Sequence, residues 1–437
     1  MHAEILTIGD ELCRGEIVDT NSSYLASRLW DLDITTRWMT SCNDRESDIA
    51  DALRLAVARS DVVLCSGGLG PTEDDLTVDV VSGLCGVAPS IDEAARIHLE
   101  QRFAGRIEVS PLQLRQVRVP TGARIYSNPV GLAPGFEVTV RDIPVICMPG
   151  VPRELHGIFD KHVERRLTEL REARGDVERI ARRIYRVFGR GESQISAACR
   201  GIVDDVAGAT IHYQLKFPET LVKLVVRDRD QAAANARLQG MDSILRARLD
   251  PYLYGTGDEN LVDRVMRRLL EAQLRVATAE SCTGGMIGEL LTRMPGSSKA
   301  FVGGAIAYSY DEKTRQLGVR KETLDAYGAV SEPCVREMAA GAAERFGVDY
   351  AVAVSGVAGP DGGTPEKPVG TVWLALAGPE ALGIVTKKLS WPGSRDQVRT
   401  LAAWWALRMI DAAISMQLPD HEERQRAQRI LVGEVKR

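Results

Sequence analysis

Five times along this chain a short, unbroken apolar run ends in a turn of glycine or small polar residues. The runs are AEILTIG, DVVLCSGG, IPVICMPG, LRVATAE and YAVAVSG, and a helix-like segment follows all but the last. A strand that is apolar throughout is buried on both faces, which is the signature of a parallel sheet covered by helices on each side. Such runs, alternating with amphipathic helices, specify βαβ units. Ligands of these sheets bind outside the carboxyl ends of the strands. The loops that close the five runs are therefore the places to look for chemistry.

With 437 residues the chain is long enough for two or three domains. The βαβ pattern occupies residues 1–170 and returns over 256–420. Between them, residues 171–255 mix charged helix with alternating strands and end at the PYLYGTGDEN turn; residues 421–437 read as a peripheral tail. The expectation is an α/β protein with two α/β layered domains joined by a small α+β connector, whose segment carries no catalytic constellation.

The composition is that of a globular protein, 44% hydrophobic and 26% charged, with a formal charge of −5. That balance disfavours a nucleic-acid partner. The most arginine-rich stretch, Glu164–Arg186, interleaves acids and reads as a solvated helix face. Eight scattered cysteines form no C-x-x-C or His/Cys pairing, as expected of buried thiols in a reducing cytoplasm. MHAEILTIGDEL enters a strand with no leader pattern, and no stretch is apolar enough to span a bilayer, so a cytoplasmic protein with no membrane partner is expected.

The fourth run leads into AESCTGG, Ala279–Gly285. On spacing alone Ser281 reads first as a helix cap, and as a nucleophile second. Cys282 reads as buried filler, and Glu280 is open between orienting a base, holding a substrate amine and satisfying the turn. No histidine lies between His212 and His421, so a local Ser-His or Cys-His pair is ruled out. A base there would be lysine, tyrosine or a carboxylate, and the candidate is YSYDEK, where Tyr308 ends a strand and Lys313 opens the next helix. Lys313 alone reads first as a surface charge, yet a lysine made less basic by burial can deprotonate a serine. SGVAGPDGGTPEKPVG, Ser355–Gly370, supplies backbone N–H groups able to cradle an anion, and Arg395 and Arg399 could clamp it.

TAESCTGG, AYSYDEK, GAVSEP, SGVAGPDGGTPEKPVGTV and the final arginine helix together resemble the CinA C-terminal, PncC-type amidase family over residues 258–415. That family cleaves the amide of nicotinamide mononucleotide to nicotinate mononucleotide and ammonia. The resemblance implies Ser281 as nucleophile with Lys313 and Tyr308 handling protons. It also implies an oxyanion hole of backbone N–H groups near Cys282 and Thr283, substrate contacts from Ser355 and Arg395, and no cofactor. Glu280, Gly284, Gly285, Gly356 and Arg399 complete the expected substrate-binding set.

The second run leads into CSGGLGPTEDDLT, Cys65–Thr77. Gly67 and Gly68 would let backbone approach a phosphate, while Asp74 and Asp75, with Asp10 and Glu11 after the first strand, suit a hard divalent cation. The competing reading is that Asp74 and Asp75 only favour a helix N-terminus. IGDELCRGEIVDTNSSYLA, GGLGPTEDDLT, NPVGLAPGF and MPGVPREL resemble the CinA N-terminal domain, related to molybdopterin-binding domains, over about residues 1–170. Leu132 stands where a threonine is usual and Cys13 where a leucine is usual. The resemblance implies ADP-ribose pyrophosphatase activity dependent on Mg²⁺, Mn²⁺ or Co²⁺, and a homodimer. Two further readings stand beside it: a non-catalytic regulator linked to competence and DNA damage, and an N-terminal domain that binds a pterin nucleotide without hydrolysing it.

Overall fold

The alternation of side chains along the apolar runs fixes two cores, one on each face of an N-terminal sheet. The computed structural model describes residues 1–103, 109–175, 177–418 and 420–432, and the backbone of 434–436. It divides into two units, Met1–Arg179 and Ile180–Arg437. The first contains β1 (His2–Ile8), β2 (Thr35–Cys42), β3 (Val62–Ser66), β4 (Pro89–Ile91), β5 (Arg118–Pro120), β6 (Arg124–Tyr126), β7 (Gly135–Val140) and β8 (Ile143–Met148). Six of these form one sheet in the order β2-β1-β3-β8-β7-β6, and β4 pairs with β5. Strands β2, β1, β3 and β8 run parallel, and β7 and β6 follow as antiparallel neighbours.

Ile5, Leu64 and Ile146 point to one face, where Leu25, Leu29, Leu155 and Phe159 cover them. Leu6, Val63, Cys65 and Cys147 point to the other, under Ile49, Leu53 and Val78. The helix Thr20–Asp31 is capped by Asp19, whose carboxylate accepts from Ser22 N at 2.8 Å. The charged helix Glu164–Ala173 keeps Leu167 buried and pins its outer face by Arg166–Glu137 at 2.8 Å.

The second unit contains β9 (Arg179–Phe188), β10 (Ala209–Lys216), β11 (Glu219–Asp228), β12 (Leu253–Thr256), β13 (Val276–Glu280), β14 (Phe301–Ile306), β15 (Tyr350–Gly356), β16 (Thr371–Ala377), β17 (Ile384–Ser390) and β18 (Glu434–Lys436). A four-stranded sheet, β10-β11-β9-β12, backs onto the helices Glu192–Cys199 and Gln231–Leu249. Part of the PYLYGTGDEN segment is not a turn: Leu253–Thr256 pairs antiparallel with β9. A six-stranded sheet follows, β14-β13-β15-β16-β17-β18, with β13 parallel to both its neighbours. The helix Glu332–Phe346 covers one face and begins at Ser331, which caps it as its sequence indicates.

The helix Arg395–Ser415 covers the other face and is buried almost all round from Leu401 onward, as expected of a helix enclosed by neighbours. The last residues are not peripheral. The helix His421–Leu431 buries Ala427, Ile430 and Leu431 in this core, and β18 extends the sheet beside β17. Buried Lys387 on β17 donates to the Val432 carbonyl at 3.0 Å and lies 5.1 Å from the Trp405 ring; burial pushes its ammonium down to about 8.

Charge is also buried where the helices meet. Asp411 is fully buried and pairs with Arg264 at 3.0 Å, Arg408 at 2.6 Å and Arg268. Burial alone would push its carboxyl up, but the three guanidiniums outweigh that and hold it below the ordinary carboxylate range. Its contribution is therefore present at neutral pH and is lost as the pH falls below the unfolded carboxylate value. Asp411→Ala leaves three cations without their shared anion and is expected to cost about 3–5 kcal/mol. Thermal or denaturant unfolding of the full chain, compared at pH 7 and at roughly pH 3 or below, beneath the unfolded carboxylate value, checks both the loss and its shrinkage in acid.

Candidate active site

Central strand β13 continues its ladder one residue past its end, where Ser281 N donates to the Val354 carbonyl at 3.0 Å. The chain then reverses through Gly284 and Gly285, at φ 60° and 95°, and enters the helix Met286–Thr292. These left-handed conformations disfavour side chains, which accounts for the paired glycines. The orphan N–H groups of the new helix are met by Glu280. Its buried carboxylate accepts from Gly285 N at 2.9 Å, Ile287 N at 3.1 Å and Gly288 N at 2.9 Å. Glu280 is thus the cap and has no free oxygen for a substrate amine. The cap role expected of Ser281 passes to its neighbour.

Ser281 Oγ instead accepts from Lys313 Nζ at 2.9 Å. The same ammonium donates to the Ala307 carbonyl at 2.7 Å and the Tyr308 carbonyl at 3.3 Å. Lys313 sits on the helix Tyr310–Leu317, which starts at the end of β14 and is capped by Ser309. It is 0% exposed, and among the described residues no carboxylate pairs with it. Burial lowers its pKa from the ordinary lysine value, opposed weakly by the Cys334 and Cys282 thiols. Two carbonyls fix two N–H directions, so on deprotonation the lone pair falls on the side that faces Ser281 Oγ. Cys282 is not a competing nucleophile, because burial pushes its thiol up to about 12.

Arginines of the Arg395–Ser415 helix lace the surrounding loops. Arg399 donates to the Thr283 carbonyl at 2.9 Å; Arg395 donates to the Gly359 carbonyl at 2.9 Å and the Tyr308 hydroxyl at 3.0 Å. The structure therefore brings Ser281 and Lys313 together, and ties the Tyr308 hydroxyl to Arg395. Among the described residues no hydrogen bond joins that hydroxyl to Ser281 or to the Lys313 amine. The hydroxyls of Thr283 and Ser355 are buried without any partner. Gly356 is a ladder residue, opposite Val372 of β16.

In the first unit the loop after β3 borders a cavity of about 540 Å³ that also takes in Glu11, Asp44, Asp74, Gly150 and Glu154. A Cβ on Gly67 would lie 2.1 Å from the Ile8 carbonyl oxygen, so only glycine fits against the end of β1. Gly68 also lines the cavity, as does Gly70. Two of the four expected metal ligands also brace their own loops, and of these Asp75 lines the cavity. The Asp75 carboxylate folds its own loop, accepting from Gly70 N at 2.7 Å, Thr72 N at 2.8 Å and the Thr72 hydroxyl. Asp10 pairs with Arg14 and accepts from Asp44 N at 3.2 Å.

Glu11 and Asp74 remain, and Asp44 joins them. Burial and the nearby charges of Asp10, Glu11 and Asp74 raise its carboxyl, partly offset by the Asp10 backbone N–H. Among the described residues no three His, Cys, Asp or Glu side chains are grouped to hold an ion by themselves. One or two carboxylates completed by substrate phosphates is nonetheless an ordinary Mg²⁺ arrangement, and the crowding of acids here suits a cation. Asp44 was findable: it lies two residues past β2, in a strand-end loop like the others. Asn21, which joins the strand-end loops by donating to Ser66 Oγ at 2.9 Å and the Gly150 carbonyl at 2.7 Å, carried no such signal.

Comparison with known proteins accounts for nearly the whole chain. Residues 258–414 match the CinA C-terminal domain, 182–255 the KH domain of damage-inducible protein CinA, and 4–169 the family described as "Probable molybdopterin binding domain". A CinA-like protein of Anaeromyxobacter dehalogenans is 42% identical over 422 residues, covering 95% of this chain and 100% of that protein. A CinA-like protein of Myxococcus xanthus is 37% identical, covering 94% and 97%. Among solved structures, a CinA-superfamily protein of Klebsiella pneumoniae is 36% identical and covers 36% of this chain and 98% of its own, with a TM-score of 0.34. A CinA protein of Thermoplasma acidophilum is 33% identical and covers 38% and 96%, with a TM-score of 0.36. Among the described residues no helix is long and apolar enough to cross a membrane. The chain belongs to the CinA family.

Proposed function

We propose that the C-terminal part of this protein is a serine amidase that converts nicotinamide mononucleotide to nicotinate mononucleotide and ammonia. The observation that carries the reading is the buried Lys313 amine 2.9 Å from Ser281 Oγ with no carboxylate to hold its charge. Neutral Lys313 takes the hydroxyl proton as Ser281 Oγ attacks the carboxamide carbon. Backbone N–H groups at Cys282 and Thr283 would receive the oxyanion. Lys313 returns the proton to the departing ammonia, leaving an acyl-enzyme that water opens with the same lysine as base. Arg395, Arg399 and the glycine-rich loop would meet the phosphate, with Tyr308 orienting Arg395. The buried Thr283 and Ser355 hydroxyls are acceptors and donors in reserve for the substrate.

For the N-terminal part we propose hydrolysis of the ADP-ribose diphosphate. A bound Mg²⁺, Mn²⁺ or Co²⁺ would neutralise the diphosphate and polarise its phosphorus. Glu11, Asp44 and Asp74 are the groups available to hold it, and backbone N–H groups around Gly67 and Gly68 would face the phosphates. The match of residues 4–169 to a molybdopterin-binding family favours one alternative, binding of a pterin nucleotide in the same cavity without turnover.

Ser281→Ala and Lys313→Ala are each expected to lower ammonia release from nicotinamide mononucleotide by about 10²–10⁴-fold. Because only neutral Lys313 is a base and its pKa is lowered, kcat/KM should rise with pH and level off below the ordinary lysine value of about 10.4. Full activity in Ser281→Ala, or a flat profile over that range, would overturn the mechanism. Glu280→Ala strands three N–H groups and should cost about 1–3 kcal/mol in unfolding experiments. It should also reduce kcat more than it raises KM, since it releases the turn that aims Ser281. A chelator should abolish formation of adenosine monophosphate and ribose 5-phosphate from ADP-ribose, followed directly by chromatography, leaving ammonia release unchanged; Asp74→Asn should do the same. ADP-ribose turnover that survives both treatments would dismiss the metal-dependent reading.

A further inference from the structure

The GRGES motif of residues 189–193 takes no part in either site, yet it forms one wall of a separate cavity of about 480 Å³ in the second unit. The opposite wall is the tip of the β10–β11 hairpin, and the base is the start of the Arg395–Ser415 helix with the segment before it. That volume is in the range of small-molecule sites. The lining is aromatic and apolar, with Phe217, Trp391, Leu401 and Trp405 around it.

Two features of the walls suit an occupant of the space. Leu215 and Phe217 leave 61% and 41% of their surface exposed at the hairpin tip, beside the two tryptophans. Arg190 carries a charge with no carboxylate partner among the described residues; its guanidinium lies over the Tyr252 ring at 5.4 Å. The loop is also held close by design. A Cβ on Gly189 would stand 2.7 Å from the Trp405 ring, so glycine there lets the arginine loop rest on the indole. Glu192, exposed on the same wall, adds an acceptor.

We propose that this cavity binds a mononucleotide: a planar heteroaromatic base stacked on the aromatic walls, a phosphate paired with Arg190, and ribose hydroxyls within reach of Glu192. Aromatic faces bind any base by stacking, and a stacked, unpaired arginine is preorganised for the fork of a phosphate. The occupant acts on the helix that serves the amidase site. Gln397, Leu401 and Trp405, four residues apart, form the stripe facing the cavity, while Arg395 and Arg399 of the same helix reach Gly359, Tyr308 and Thr283. The binding site itself does not depend on either proposed reaction.

Titration of the full-length protein with adenosine 5′-monophosphate, followed by tryptophan fluorescence and calorimetry, tests the proposal. Saturable quenching is expected, weakened at least tenfold by Arg190→Ala and by Phe217→Ala, and unaffected by Asp74→Asn. Adenosine, which lacks the phosphate, should bind at least tenfold more weakly. Arg190 and Phe217 both lie at the surface, so either variant suffices if the other fails to fold. Absence of saturable binding overturns the site. Binding that ignores both substitutions places the nucleotide elsewhere and also overturns it, and equal affinity for adenosine overturns the role given to Arg190.

Discussion

The Glu280 carboxylate, holding three backbone N–H groups at the head of the Met286–Thr292 helix, sets the geometry on which the C-terminal site depends. A strand that becomes a helix within five residues leaves several donors without acceptors, and inside a protein each must be met. Had a serine supplied the acceptor, its hydroxyl would have been spent on structure. Because the residue before it does so, with two oxygens and a full charge, Ser281 Oγ stays free at the mouth of the turn. The partial positive charge of the helix N-terminus also steadies a carboxylate that burial would otherwise penalise.

A buried lysine is the counterpart of that arrangement. Water cannot solvate Lys313 at 0% exposure, and its partners are two carbonyl oxygens and one hydroxyl. Carbonyl dipoles compensate an ammonium only in part, so the neutral amine gains ground. The residues that could have restored the charge are arranged to avoid it. Glu280 faces the helix, and Glu312 pairs outward with Arg315 at 2.7 Å. The cost of desolvating a cation thus leaves a neutral amine, a weaker base but one with its lone pair available, beside one hydroxyl, which is what the proposed serine–lysine pair requires.

The sheets, and the strand-end loops that bring the candidate residues together, were legible because unbroken apolar runs and glycine turns are local signals. Which side chain fills which role was not, because that depends on a rotamer choice between neighbours. Ser281 and Glu280 are both good acceptors beside a helix start, and spacing cannot say which one turns inward. The same ambiguity applies to Asp75, whose carboxylate closes back on Gly70 and Thr72 while the residue also lines the cavity; Asp44 lies in a strand-end loop like the others and meets the cavity where β2 lies beside β1. The tail defeated composition for another reason. HEERQRAQRIL is polar at most positions, but Ala427, Ile430 and Leu431 fall on one stripe, and a stripe of three suffices when a core already waits for it.

The two candidate sites solve one problem, the binding of an anion at the carboxyl ends of parallel strands, with opposite charges. Around Ser281 the cations are covalently part of the chain: Arg395 and Arg399 come from one helix and are held by loop carbonyls. Around Gly67 the ionisable side chains at the cavity include Glu11, Asp44, Asp74 and Glu154, which repel a phosphate. Glycine N–H groups alone offset little of that repulsion, and the Asp44 carboxyl is raised first by burial and then by the neighbouring acids. Among the described residues that lining carries acids and no lysine or arginine, so a phosphate there would need a counter-charge brought with it, which favours the proposed metal, whereas the loops around Ser281 have Arg395 and Arg399 beside them.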